Sequence, residues 1–230
     1  MKQLSPRLMN WASILEDGTR EQAEDGGHAV HLPSPRPDAG RSASRQGVVR
    51  EAIERSVPLM AGAANQHINR EHTQELLTRL EERADKAGFD PGSYAGRWKV
   101  QLGTLGSGNH FIELTVDEQG RVWLFLHFRL AGSGQQDRPA PHRRGPPALR
   151  ALVDQPDRDL AYLVEGMDEF WAYIRQMRWA QDYALANREE MMDRVVTCVA
   201  EWVGSDVERQ EEIGCHHNYT ESEKHLGTQV

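Results

Sequence analysis

The sequence predicts an α+β protein in which a β-hairpin or small sheet forms the core beside a helical block. Three observations predict it. Residues 110–116 and 121–127 are apolar runs flanking Asp117-Glu118-Gln119-Gly120, which is turn chemistry, so the pair reads as a hairpin. Apolar residues from Leu160 to Val203 recur at three- and four-residue spacing, the period of a helix. The same period marks residues 71–87, where Leu76, Leu77, Leu80, Ala84 and Ala87 share one face and Gly88 supplies a stop.

The remaining elements follow in order. Residues 1–24 read as a short lead and a helix carrying Trp11, Ile14 and Leu15. Residues 25–47 hold Gly26-Gly27, three prolines at Pro33, Pro35 and Pro37, and Gly40-Arg41-Ser42. With almost nothing to bury, they read as irregular or disordered. Residues 48–60 form a helix. Residues 129–158 lose their pattern again, with Pro139, Pro141, Pro146, Pro147 and Pro156 among arginines and glycines. In the helical block, Met167, Phe170, Trp171, Ile174 and Met177 form a stripe expected to be core or a helix interface. Met191, Val195, Val199 and Trp202 continue the pattern, Cys198 is expected as a buried thiol, and Asn187 marks a break between two helices.

Composition narrows the class. The 230 residues suffice for one large domain or two small ones. The net charge of -8 argues against a general nucleic-acid coat, while leaving room for a local basic groove. Mean hydropathy is -0.69 and no apolar run has the length of a membrane span. Met1 to Pro6 lacks the apolar stretch of a secretory leader, and two cysteines, Cys198 and Cys215, do not make a disulfide scaffold. A reducing cytoplasm is the expected setting. There is no P-loop, no Gly-x-Ser-x-Gly elbow and no Lys-x-Asp-Gly motif for a lysyl-nucleotide.

Two runs carry candidate chemistry. In Leu102-Gly103-Thr104-Leu105-Gly106-Ser107-Gly108-Asn109-His110-Phe111-Ile112-Glu113, glycines that permit positive φ lead into an amide and an imidazole. An Asn offers directed hydrogen bonds and a neutral His offers a metal-binding nitrogen. A four-residue turn pairs Val116 with Arg121 and so sets His110 directly opposite His127, close enough to share a metal site or to sit at two adjacent ones. A one-residue slip would part them. The competing reading is two half-exposed histidines at strand ends. Glu113 falls on the strand face opposite His110. The second run, Cys215-His216-His217-Asn218-Tyr219, offers soft and borderline ligands but no paired spacing, so a structural role stays open. Arg138, His142, Arg143, Arg144 and Arg150 either meet phosphates or form a solvated loop.

These two runs, together with Asp159 to Val203 and the opening Met1 to Ala23, resemble the RtcB RNA-splicing ligases. The resemblance implies a GTP- and Mn²⁺-dependent ligase that joins an RNA 3′-phosphate or 2′,3′-cyclic phosphate end to a 5′-hydroxyl end, in tRNA splicing and RNA repair. Such enzymes guanylylate one of their own histidines, pass GMP to the RNA 3′-phosphate and let the 5′-hydroxyl displace it. Two Mn²⁺ ions per site would polarise the phosphoryl oxygens. Carried over by motif, His110 is similar to a ligand of the first ion, and His127 and His217 to ligands of the second. Asn109, His110, Phe111, Ile112 and Glu113, with His217 and Asn218, are similar to the guanylate-binding segment. The implied partners are RNA (tRNA halves or broken ends) and an activating helper protein, with the ligase a cytoplasmic monomer away from membranes.

The sequence departs from the family in three places. The early Val-Asp-Ile-Gly-Cys-Gly block with its metal-binding Asp and Cys has no counterpart. After His127 the family's Ser-Gly-Ser-Arg-Gly is replaced by Phe128-Arg129-Leu130-Ala131-Gly132. The family's C-terminal half, with the guanylylated histidine, lies beyond Val230, so no catalytic residue is assigned and weak or no ligation is expected. Residues 25–47 and 129–158 coincide with the departures, and we hypothesise out-of-frame translation there; an intact locus with the same codons would exclude it. A non-catalytic metal- or nucleotide-binding remnant and an interaction protein are the alternatives.

Overall fold

The computed structural model describes residues 27–32, 43–60, 62–93, 95–106, 110–128, 166–214, 224–225 and 228–229. The expected helix within 1–24, the pattern-poor stretch 129–158 and the run Cys215 to Tyr219 lie outside the described residues.

The helices form where apolar spacing gives them a face. Helix α1 (Ala43–Ser56) turns Val49 and Ile53 inward, with Val57 just beyond its end, all buried. It begins at Ala43 rather than Val48, and Pro58, which has no N–H, prevents its continuation. Helix α2 (Glu71–Ala87) matches its predicted span and buries Thr73, Leu76, Leu77, Leu80 and Ala84. Gly88 ends it with φ +72, which lets its N–H and that of Phe89 close on the carbonyls of Asp85 and Ala84. A 3-10 turn (Pro91–Ser93) and the short α3 (Trp98–Gln101) follow.

Helix α4 (Asp168–Val203) is continuous through Asn187, which corrects the expected break. The Asn187 amide bonds to the backbone of another segment and so does not compete with its own helix ladder. The stripe at its start is also not core. Trp171 is 45% exposed, while Met167, Phe170, Ile174 and Met177 are half-buried. The neighbouring α2 and α3 pack on α4 at Trp179, Tyr183 and Ala186, against Leu76, Leu80, Trp98 and Leu102. Trp98 and Trp179 meet edge to face with centroids 5.4 Å apart. Cys198 is buried as expected, and burial pushes its thiol pKa up.

Four antiparallel strands form one sheet in the order β2 (Phe111–Val116), β3 (Val122–His127), β1 (Gly27–Leu32), β4 (Glu211–Gly214). A separate two-stranded pair joins β5 (Lys224–His225) to β6 (Thr228–Gln229). Within residues 25–47, read as irregular, strand β1 (27–32) and the start of α1 (43–47) are corrections, and 25–26 and 33–42 lie outside the described residues. β1 is interior, with both edges hydrogen-bonded, and its Val30 is fully buried in the core. The strand's Gly27-His28-Ala29-Val30-His31-Leu32 has no clean alternation and is followed by prolines, so it leaves little compositional trace.

One sheet face brings Val30, Ile112, Leu114, Leu124 and Leu126 onto α1 and onto Met191, Met192, Val195 and Val199 of α4. The opposite face buries Trp123 and Phe125 against Phe111 and Ile213. β3 is therefore apolar on both faces, as an interior strand covered on both sides should be.

The hairpin register differs from the expected one by a residue. Val116 pairs with Val122, and His127 pairs with Phe111 rather than His110. The loop is three residues, Glu118-Gln119-Gly120, with Gly120 at φ +77 and the Asp117 N–H donating to the Arg121 carbonyl at 2.9 Å. Alternation in β3 could not reveal the slip, because either register presents apolar side chains to the core. The Asp117 carboxylate fixes the loop by accepting from the N–H groups of Gln119 (3.0 Å) and Arg121 (2.8 Å), from the Arg121 guanidinium and from Trp123 Nε1.

Burial alone would raise the Asp117 pKa. The donors of Trp123, Arg121 and Gln119 override it and lower the value to about 2. The folded state thus favours the carboxylate. Its contribution is complete above the ordinary value near 3.8 and is lost as pH falls through about 2. Asp117→Asn is expected to cost on the order of 1–3 kcal/mol at pH 7 and much less at pH 2. Urea unfolding of both proteins across that range checks it; an equal cost at both ends would contradict the assignment.

Candidate functional site

Residues Leu102 to Gly106, which follow α3, each have a backbone group held by a hydrogen bond. Asn65 Nδ2 donates to the Leu102 carbonyl at 2.6 Å. The Gly103 N–H donates to Asn187 Oδ1 at 2.6 Å, and Arg194 Nη1 donates to the Gly103 carbonyl at 3.2 Å. Thr104 N–H reaches Gln101, and the Thr104 carbonyl accepts from Asn187 Nδ2 at 3.1 Å. Leu105 N–H donates to the Pro58 carbonyl at 3.0 Å, and the Gly106 carbonyl accepts from Met60 N–H at 2.8 Å. A loop so fully bonded is as defined as a strand. Gly103 (φ +80) and Gly106 (φ +73) supply the two positive-φ positions.

His110 follows this loop and leans back on it. Its Nδ1 lies 2.7 Å from the Leu105 carbonyl, and its ring packs on Phe128 with centroids 5.0 Å apart. A carbonyl only accepts, so Nδ1 carries the proton, and in the neutral ring Nε2 is the acceptor nitrogen. That is the arrangement in which a backbone carbonyl orients a metal-binding imidazole. His127 stands on the other sheet face, stacked on Phe111 at 5.5 Å with 13° between rings. The hairpin therefore does not bring His110 and His127 together, which corrects their predicted opposition.

The predicted guanylate segment divides in the same way. Ile112 is 3% exposed and sits in the core, so only its backbone could meet a ligand. Phe111 and Glu113 take the opposite face, as expected for Glu113, and burial raises the Glu113 carboxyl pKa. Asn109, His217 and Asn218 lie outside the described residues. Among the described residues no three His, Cys, Asp or Glu side chains gather to hold a metal ion. A cleft of about 310 Å³ opens elsewhere, beside Arg55, Arg70 and Cys198.

Three residues that support the site escaped the sequence reading. Asn187, Glu190 and Arg194 project from one face of α4 into the space beneath Gly103. Glu190 and Arg194 are buried and paired at 2.7 Å; Thr73 Oγ1 donates to the same carboxylate oxygen at 2.6 Å. Their sequence signal is a polar set at i, i+3 and i+7 on the apolar side of a helix.

The comparisons with known proteins bear on the same segments. A model of the family described as tRNA-splicing ligase RtcB matches residues 33–230. The RNA-splicing ligase RtcB of Escherichia coli K12 is 38% identical over 135 residues, covering 56% of this chain and 33% of that protein. The tRNA-splicing ligases RtcB of Methanopyrus kandleri and Thermococcus kodakarensis are 31% and 30% identical, over 56% and 65% of this chain and 16% and 36% of theirs. The chain thus spans about a third of the Escherichia coli relative's length. The stretch matched by the family model holds the glycine loop, His110, the hairpin and α4, and on that match the chain belongs to the tRNA-splicing ligase RtcB family.

Proposed function

We propose that this chain carries the guanylate- and manganese-binding wall of a GTP-dependent RNA ligase, one that seals RNA 3′-phosphate or 2′,3′-cyclic phosphate ends to 5′-hydroxyl ends. In this reading His110 serves the first Mn²⁺, His127 and His217 the second, and Asn109 to Glu113 with Asn218 meet the guanylate. The substrates are tRNA halves or broken RNA. The observation that carries the reading is the His110 ring, whose Nδ1 is tied to the Leu105 carbonyl at 2.7 Å so that Nε2 presents the lone pair.

The described residues do not complete a metal site, since His110 and His127 stand on opposite faces of the hairpin. No reaction step is therefore routed through the ions. What this chain's own residues do is narrower: the loop from Leu102 to Gly106 holds the Leu105 carbonyl against His110 Nδ1.

Calorimetric titration of the purified chain with Mn²⁺, with and without GTP, tests the proposal. Wild type is expected to bind both, and His110→Ala to weaken Mn²⁺ binding by more than about tenfold. Wild type that binds neither would favour the interaction-protein reading; equal affinity in the variant would remove His110 from the site.

A further inference from the structure

Among the side chains that hold the loop before His110, one bonds two successive residues next to Leu105. Asn187, 1% exposed in the middle of α4, grips both edges of a peptide stretch. Its Oδ1 accepts from the Gly103 N–H at 2.6 Å and its Nδ2 donates to the Thr104 carbonyl at 3.1 Å. The next residue, Leu105, supplies the carbonyl that receives the His110 Nδ1 proton at 2.7 Å. Gly103 can bend toward α4 only because it has no Cβ; one added there would lie 2.6 Å from Glu190 Cγ. The glycine and the asparagine are thus two halves of one clamp.

We infer that Asn187 is a positioning residue for His110. By bonding Gly103 and Thr104 to the rigid α4 helix, it places the Leu105 carbonyl and thereby selects the Nδ1–H tautomer and the ring direction of His110. Its consequence for Mn²⁺ rests on the ligand reading of His110 given above; its consequence for the tautomer does not. Asn187 acts through the loop and touches no reacting atom. Bonds to a neutral backbone stretch suit an amide, which both donates and accepts, whereas Asp in its place would set a carboxylate against the Thr104 carbonyl.

Long-range ¹H–¹⁵N NMR of the imidazoles reads the tautomer directly, with no metal present. Wild type is expected to show His110 as a single Nδ1–H form. Asn187→Ala is expected to give a mixture of both tautomers while its helix signal by circular dichroism is kept. Trp179→Phe removes another buried α4 bond, that from Nε1 to the Leu80 carbonyl, and serves as the control. It is expected to lose stability and leave His110 unchanged. A pure Nδ1–H form in folded Asn187→Ala, or an Nε2–H form in wild type, would overturn the inference.

Hydrogen exchange of wild type keeps the inference testable should Asn187→Ala not fold. The Gly103 N–H should be protected as well as the buried amides of α4, and fast exchange there would equally sink it. Titration with Mn²⁺ alone then separates the two proposals. Weakening by about ten- to a hundredfold in Asn187→Ala, and none in Trp179→Phe, is expected of an orienting residue. Wild type that binds no Mn²⁺ would defeat the ligand reading and leave the tautomer result to decide the clamp.

Discussion

Replacing Arg194 with methionine is expected to destabilise the folded chain by about 3–5 kcal/mol, the cost of stranding a buried charge. Arg194 is 5% exposed and its guanidinium ties four segments together. Nε donates to Glu190 Oε1 at 2.7 Å, and Nη1 reaches the Ser56 carbonyl (3.0 Å), Asn65 Oδ1 (2.6 Å) and the Gly103 carbonyl (3.2 Å). Glu190 is fully buried. Without Arg194 it would keep the Thr73 hydroxyl and only a 3.4 Å contact to Arg70, a partly exposed side chain already paired with Asp193 at 2.7 Å. The charge is therefore left nearly alone in a low-dielectric interior, and Gly103 and Ser56 lose a donor.

The double variant Glu190→Met with Arg194→Met separates charge from packing. If stranding of the carboxylate dominates, the double variant recovers most of the loss, because an apolar pair of similar volume is often neutral or better. Urea unfolding of wild type, both single variants and the double variant gives the coupling. A single-variant cost below about 1 kcal/mol at pH 7 would show that water or Arg70 already satisfies Glu190.

How much of this was legible in the sequence depends on how far each residue's partners lie along the chain. Helix α2 announces itself because its leucine face and Gly88 stop are local. The hairpin was visible for the same reason, yet its register was not. The Asp117 side chain and Gly120 select a three-residue loop, and β3, apolar on both faces, gave no alternation to check it against. That single residue decides whether His110 and His127 share a face. Strand β1 was illegible because its support is two neighbouring strands distant in sequence. Asn187 was misread because an asparagine in a helix looks like a break until its partners, Gly103 and Thr104, are known. The glycine loop and His110 stood out by residue type alone, whereas the buried residues that orient them did not.

Gly103→Ala is expected to cost about 2–4 kcal/mol, combining backbone strain with overpacking. Gly103 sits at φ +80, a conformation that an alanine resists by about 1–2 kcal/mol. The added Cβ would also fall 2.6 Å from Glu190 Cγ and 2.7 Å from Arg194 Cζ and Nη2. Long side chains often swing aside from such a clash. These two are held by their own ion pair and by Thr73, Ser56 and Asn65, so relief would break the network that Arg194 anchors. Gly120→Ala isolates the strain, because that glycine has φ +77 but nothing within 4 Å of a Cβ. Urea midpoints for the two variants should therefore differ, Gly120→Ala losing only the smaller share. Equal losses would mean that the Glu190–Arg194 pair yields freely. In that case α4 would not hold the loop before His110 rigidly, and the stiffness of that loop would have to come from its bonds to Pro58 and Met60 instead.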